Sequence, residues 1–160
     1  RMEGSKKSIE ERKNDLFQEL ELKKKKLSEL DFYQSVLFWK KINNLELFNS
    51  SKNSIIRIVI PPSKCLELIN FFDDDFKYFI EWCGSLIWAE VCNLSDDKLS
   101  NIRKFVVERG GYLTLIKQTS NQLLNEIFTY TNARLHISKK IKESFDPKRI
   151  LNPEKMYIGV

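Results

Sequence analysis

Arg57 is the single charge in a run of apolar, mostly β-branched residues: Ile55, Ile56, Ile58, Val59 and Ile60. A guanidinium is costly to leave unpaired in such a setting, and its planar fork matches the two oxygens of a carboxylate. The residue therefore has two readings. It is an anion-binding group, or it is half of an ion pair on the solvent face of a strand. Trp82 and Trp88 bracket Gly84 and form either the wall of a ligand pocket or ordinary cross-strand packing. Tyr112 follows Gly110 and Gly111, in a place where a strand favours an aromatic ring. Asn152 sits before Pro153, on a stiffened stretch that holds a polar side chain in one place or simply caps a loop.

Other groups offer less. Asp73, Asp74 and Asp75 read as a solvated acidic turn rather than a cation site. His136 is the only histidine, and it lies in a lysine-rich helical segment without an acidic partner within a turn. With one histidine, a zinc site is not expected. Cys65, Cys83 and Cys92 form no C-x-x-C pair, and an odd count argues against a disulfide framework.

The elements that position these residues follow from periodicity. Ser8 with Glu11 fits a capping box for a first helix carrying Ile9, Leu16, Leu20 and Leu27 on one face. A second helix is expected after Asp31, with Phe32, Val36, Trp39 and Ile42 at helical spacing, and 43–54 reads as a connection. A strand over 54–60 stops at Pro61 and Pro62, and Ser63 is placed to cap a short helix. Over 76–82, Phe76, Tyr78, Ile80 and Trp82 alternate with Lys77 and Glu81. Strands at 86–91 and 112–116 flank a helix opened by Ser95 and closed by Gly110 and Gly111. The order β-α-β-β-α-β predicts an α+β, ferredoxin-like antiparallel sheet with extra N-terminal and C-terminal helices. Residues 1–53 form the N-terminal helical part, 54–117 the ferredoxin-like unit, and 118–160 a helix and tail. Pro147 ends that last helix after Phe145 and Asp146, and Pro153 is expected to hold Asn152 extended.

At 160 residues the chain is about one domain, and 42% hydrophobic with 31% charged residues is ordinary for a globular protein. No apolar run nears the roughly 18 residues of a membrane span, and no signal peptide opens the sequence; a reducing cytoplasm is the default. Arg1 to Ser5 reads like the middle of a longer chain. The net charge of +5 owes much to Lys23–Lys26 and to Lys139, Lys140 and Lys142. Both clusters are interrupted by apolar residues at helical spacing and read as solvated faces rather than phosphate-binding stripes.

Five short motifs in order give a resemblance. Gly4-Ser5 precedes a helix; Arg57 leads to Pro61-Pro62; Trp82-Cys83-Gly84 is followed by Trp88; Gly110-Gly111 leads to Tyr112; and Phe145-Asp146-Pro147 is followed by Asn152-Pro153. Together they resemble the C-terminal part of the FAD-linked oxidase family, as in the smaller flavin-binding subunit of bacterial glycolate oxidase. Cys83, Tyr112 and Glu154 depart from the family's usual Gly, His and Gly. The resemblance implies the substrate or cap domain of a 2-hydroxyacid (glycolate-type) oxidase or dehydrogenase. Arg57 and Tyr112 are then the substrate-binding candidates, and Asn152 and Trp82 the FAD contacts. The family's flavin-binding domain precedes this region, and no glycine-rich fingerprint for it occurs here, so FAD is expected to be held mainly elsewhere. The isolated chain is then inactive and binds no FAD. Implied partners are a flavin-binding domain or subunit and glycolate oxidase-type subunits that include an iron–sulfur protein, placing the chain near the inner membrane through those partners.

Two other classes compete. RNA-recognition domains share the element order but stack bases on aromatics of the first and third strands; here 55–60 has no aromatic and 86–91 only Trp88, so nucleic acid is not an expected partner. A small regulatory or interaction domain without catalysis has the same fold, and the fold cannot separate it from a cap domain.

Overall fold

The computed structural model describes residues 2–19, 29–48, 52–118 and 127–153. They fall into two compact units, 1–47 and 48–160.

The first unit carries α1 (Lys6–Glu19) and α2 (Phe32–Asn43). The cap of α1 lies one turn earlier than Ser8 suggested: Ser5 Oγ accepts the Ser8 amide at 3.3 Å, and Gly4 precedes it at φ 141°. Asp31 caps α2 as a capping box with Gln34. Ile42 is buried and Trp39 half-buried, but Phe32 and Val36 are exposed, so the apolar stripe read from spacing is only partly covered. Leu20, Leu27 and Lys23–Lys26 lie outside the described residues, as does Glu154.

The second unit is the expected ferredoxin-like arrangement. Strands β1 (Ser54–Val59), β2 (Phe76–Glu81), β3 (Leu86–Val91) and β4 (Tyr112–Lys117) form one antiparallel sheet in the order β2-β3-β1-β4. Between them run α3 (Cys65–Phe71) and α4 (Asp96–Glu108). β-branched residues favour the two central strands, and Pro61 and Pro62 end β1 because neither can donate to the ladder. Ser63 does not cap α3; it sits inside a 3-10 turn, Pro62–Lys64, that leads into the helix. Ser95 does cap α4, accepting the Lys98 amide at 3.2 Å.

One sheet face carries the core. Ile56 and Ile58 of β1, Ile87, Ala89 and Val91 of β3, and Leu113 and Leu115 of β4 pack under Leu68 of α3 and Leu99, Ile102 and Val106 of α4. Each such aliphatic side chain contributes roughly 1.5–3 kcal/mol by leaving water. Gly111 sets how close α4 can come to the sheet: a Cβ there would stand 2.5 Å from the Val59 carbonyl oxygen and 2.8 Å from Val106 Cγ1. Arg109 closes the same end, pairing with Glu67 of α3 at 2.9 Å while its guanidinium lies 3.5 Å from the Phe105 ring centre.

At the far edge of the sheet, residues 127–129 cover β4. The Leu115 amide donates to the Ile127 carbonyl at 2.8 Å and the Thr129 amide to the Leu113 carbonyl at 2.9 Å. α5 (Asn132–Phe145) follows, capped by Thr131. It ends at Phe145, as Pro147 requires. Asp146 then organises the tail: its carboxylate accepts the Ile150 and Leu151 amides at 3.0 and 2.8 Å and pairs with Lys142 at 2.7 Å. Asn152 is not extended. Its φ is 44°, left-handed geometry that asparagine tolerates better than most residues.

Candidate functional site

Strand alternation sends Arg57 to the face opposite the core, together with its register partners Trp88 on β3 and Thr114 on β4. Next along β2, Phe79 pairs with Trp88, their ring centres 6.5 Å apart, and Phe48 packs on Phe79 at 5.3 Å. An aromatic row thus runs across the sheet and ends at the guanidinium.

Trp82 reaches the same place by a different route. The alternation over 76–82 assigned it to the side of Phe76, Tyr78 and Ile80, but β2 ends at Glu81 and Trp82 begins a 3-10 turn, Trp82–Gly84. Trp82, Cys83 and Gly84 have φ of 50°, 52° and 97°. This left-handed run reverses the chain and lays the Trp82 indole beside Arg57. The Arg57 Cζ lies 5.7 Å from the Trp82 ring centre and 5.8 Å from that of Trp88, within the range of cation–π attraction.

Glu81 shares this sheet face with Arg57 and accepts the Trp88 indole N–H at 3.0 Å. Among the described residues Arg57 makes no ion pair, so its reading as half of a surface salt bridge is not what the structure displays. Both indole ring centres lie within cation–π range of the guanidinium, a group that carries N–H donors and no acceptor.

The other candidates are dispersed. Tyr112 opposes Val59 and so shares the face of Arg57, at a diagonal separation of roughly 7–8 Å typical of such neighbours. It also lines a shallow recess of about 150 Å³ with Gly110, Gly111, Thr129 and Arg134, which does not include Arg57. Asn152 is exposed in the tail, and no hydrogen bond or ring contact joins it to Arg57, Trp82 or Tyr112. The motif it belongs to has its structural weight on Asp146. Hydrogen bonds from Lys142 and from the Ile150 and Leu151 amides hold that carboxyl at about 2, below its ordinary value near 3.8.

Trp88 and Glu81 complete the cluster around Arg57. Their pairing was open to inspection in the sequence only as two residues seven apart across a Gly-centred hairpin. The acidic turn holds a lysine: Lys98 pairs with Asp73 at 3.2 Å and Asp75 at 2.9 Å, and its ammonium lies 4.7 Å from the Phe76 ring centre. No grouping of His, Cys, Asp and Glu suited to a metal occurs among the described residues. His136 is exposed, and all three cysteines are free. Burial pushes the Cys65 thiol up, which disfavours the nucleophilic thiolate. Among the described residues no helix is long and apolar enough to cross a membrane. No protein-family model, no curated protein and no solved structure matches the chain.

Proposed function

We propose that this chain is the substrate-side, or cap, domain of a FAD-linked 2-hydroxyacid oxidoreductase, with Arg57 receiving the substrate carboxylate. The observation that carries this reading is a guanidinium on the sheet face away from the core, 5.7 and 5.8 Å from two indole ring centres and paired with no carboxylate among the described residues. The five ordered sequence motifs support it. Three of them also have local structural roles here: Ser5 caps α1, Gly111 lets α4 approach β1, and Asp146 folds the tail.

The recess of about 150 Å³ beside Tyr112 is smaller than the roughly 300–1,000 Å³ of ordinary small-molecule sites. In this reading FAD belongs to a flavin-binding domain or subunit that closes over Arg57, and an iron–sulfur subunit of a glycolate oxidase-type assembly is a further partner. What the chain itself supplies is orientation: a fixed cation that docks the acid end of the substrate, and aromatic walls that keep water from the ion pair.

Titration of the isotope-labelled chain with a small 2-hydroxy acid such as lactate, followed by NMR, tests the reading. The Arg57 Nε–H signal and the Trp82 and Trp88 indole signals are expected to shift together. Arg57→Ala should abolish binding, and Arg57→Lys should weaken it because the charge remains while the fork is lost. Absence of any shift, or equal shifts in Arg57→Ala, overturns the carboxylate role. A purified chain that stays yellow with flavin after desalting overturns the division of labour.

A further inference from the structure

The turn after β2 says more about the ligand than that it carries a carboxylate. Trp82 leaves 62% of its surface in solvent, although a large apolar ring gains most by burial. The ring is held out there by two successive side-chain-bearing residues in left-handed backbone, Trp82 and Cys83, a conformation that only glycine adopts without cost. Strain of this kind persists where the surroundings fix it, and it recurs at ligand clamps. Covering Arg57 does not by itself require this arrangement, because Trp88 already lies at the same distance from the guanidinium in unstrained strand geometry. Among the described residues, no second ring stacks on Trp82.

On these grounds, and resting on the carboxylate reading above, we propose that the ligand is an aromatic 2-hydroxy acid. Its carboxylate pairs with Arg57 and its ring stacks on the exposed indole of Trp82. The spacing agrees. Arg57 Cζ is 5.7 Å from the Trp82 ring centre, and stacked rings sit with centres roughly 4.5–7 Å apart. At that separation one small ligand can touch both groups, its acid end on the guanidinium and its ring on the indole.

The test compares 3-phenyllactate, lactate and benzyl alcohol against the full chain by NMR titration, with wild type, Trp82→Ala, Trp82→Phe and Arg57→Ala. Phenyllactate should bind roughly two- to tenfold tighter than lactate, the scale of one aromatic pair. Trp82→Ala should bring it down to the lactate level, Trp82→Phe should restore most of the difference, and Arg57→Ala should abolish both. A thermal melt and amide spectrum for each variant separate lost contacts from lost folding, and Trp82→Phe keeps the comparison available if the alanine variant fails to fold. Equal affinities for phenyllactate and lactate, both dependent on Arg57, leave the carboxylate role standing and overturn the aromatic one. Benzyl alcohol binding as tightly as phenyllactate also overturns it, since the cation then plays no part. If no ligand perturbs Arg57, both proposals fall.

Discussion

The two faces of the sheet are built on different principles. On the helix side, Ile56, Ile58, Ile87, Ala89, Val91 and Leu113 are aliphatic and essentially out of water. On the other side the same strands present Arg57, Phe79, Glu81, Trp88 and Thr114, most of them only half-buried. The first set gains its free energy from burial and close packing, which tolerates little change. The second set mixes packed aromatic rings with polar groups, and Glu81 accepts the Trp88 indole N–H within it. One strand therefore serves both purposes in alternate residues, and substitutions at adjacent positions in β1 should have opposite kinds of consequence.

The largest effect should come from the helix side. Ile58→Ala is expected to cost about 2–5 kcal/mol, through lost transfer energy and a cavity under α4, measured by chemical denaturation. A loss under 1 kcal/mol would erase the contrast between the faces. Gly111→Ala comes next, at roughly 1–3 kcal/mol of overpacking, because its Cβ would press on the Val59 carbonyl and Val106; the same denaturation series reads it. Arg57→Leu should change stability by under about 1 kcal/mol, the scale of exposed cation–π contacts, while ending carboxylate binding. A fall as large as that of Ile58→Ala would make Arg57 a structural residue.

The smallest effect is local. The Asp146 carboxyl is held at about 2 against an ordinary value near 3.8. Because its folded-state value is the lower one, its contribution is present above roughly pH 4 and is lost as the pH falls through about 2. Amide exchange at Ile150 and Leu151 should accelerate over that window, before the sheet amides respond. Asp146→Asn should speed the same exchange at neutral pH. Tail amides that exchange at one rate across the window would show that the carboxylate does not hold them.

Strand and helix positions in the second unit were legible because each is short, bounded by Pro, Gly or Ser, and carries an unambiguous period. β1 is a β-branched run, β3 is a short apolar one broken only by Glu90, and Ser95, Leu99, Ile102 and Val106 lay out α4 from cap to core. The turn at Trp82 was not legible. Alternation carried the strand through to Trp82, and nothing local announces that a tryptophan and a cysteine will both adopt positive φ ahead of Gly84. Asn152 was misread for a related reason: a following proline disfavours helical geometry but does not dictate an extended one. Arg57 was visible as an anomaly within β1, yet its partners depended on a register with β3 that pairwise spacing along the chain does not encode. The candidate site was thus half readable. Its cation was plain, and the ring that Trp82 adds was hidden in backbone conformation.

The cover that residues 127–129 place over β4 has a bearing on assembly. A four-stranded sheet has two edges through which another chain can add a strand. Here β4 is already paired along its outer side, so β2 is the edge strand left without a strand partner among the described residues. Growth into a fibril needs each molecule to offer two such edges, one to receive and one to extend. A molecule with a single open edge can join a second copy through β2, by a two-fold operation, and then has nothing left to propagate. Among the described residues β2 is the edge through which such pairing would run, and pairing through it alone would stop at two copies.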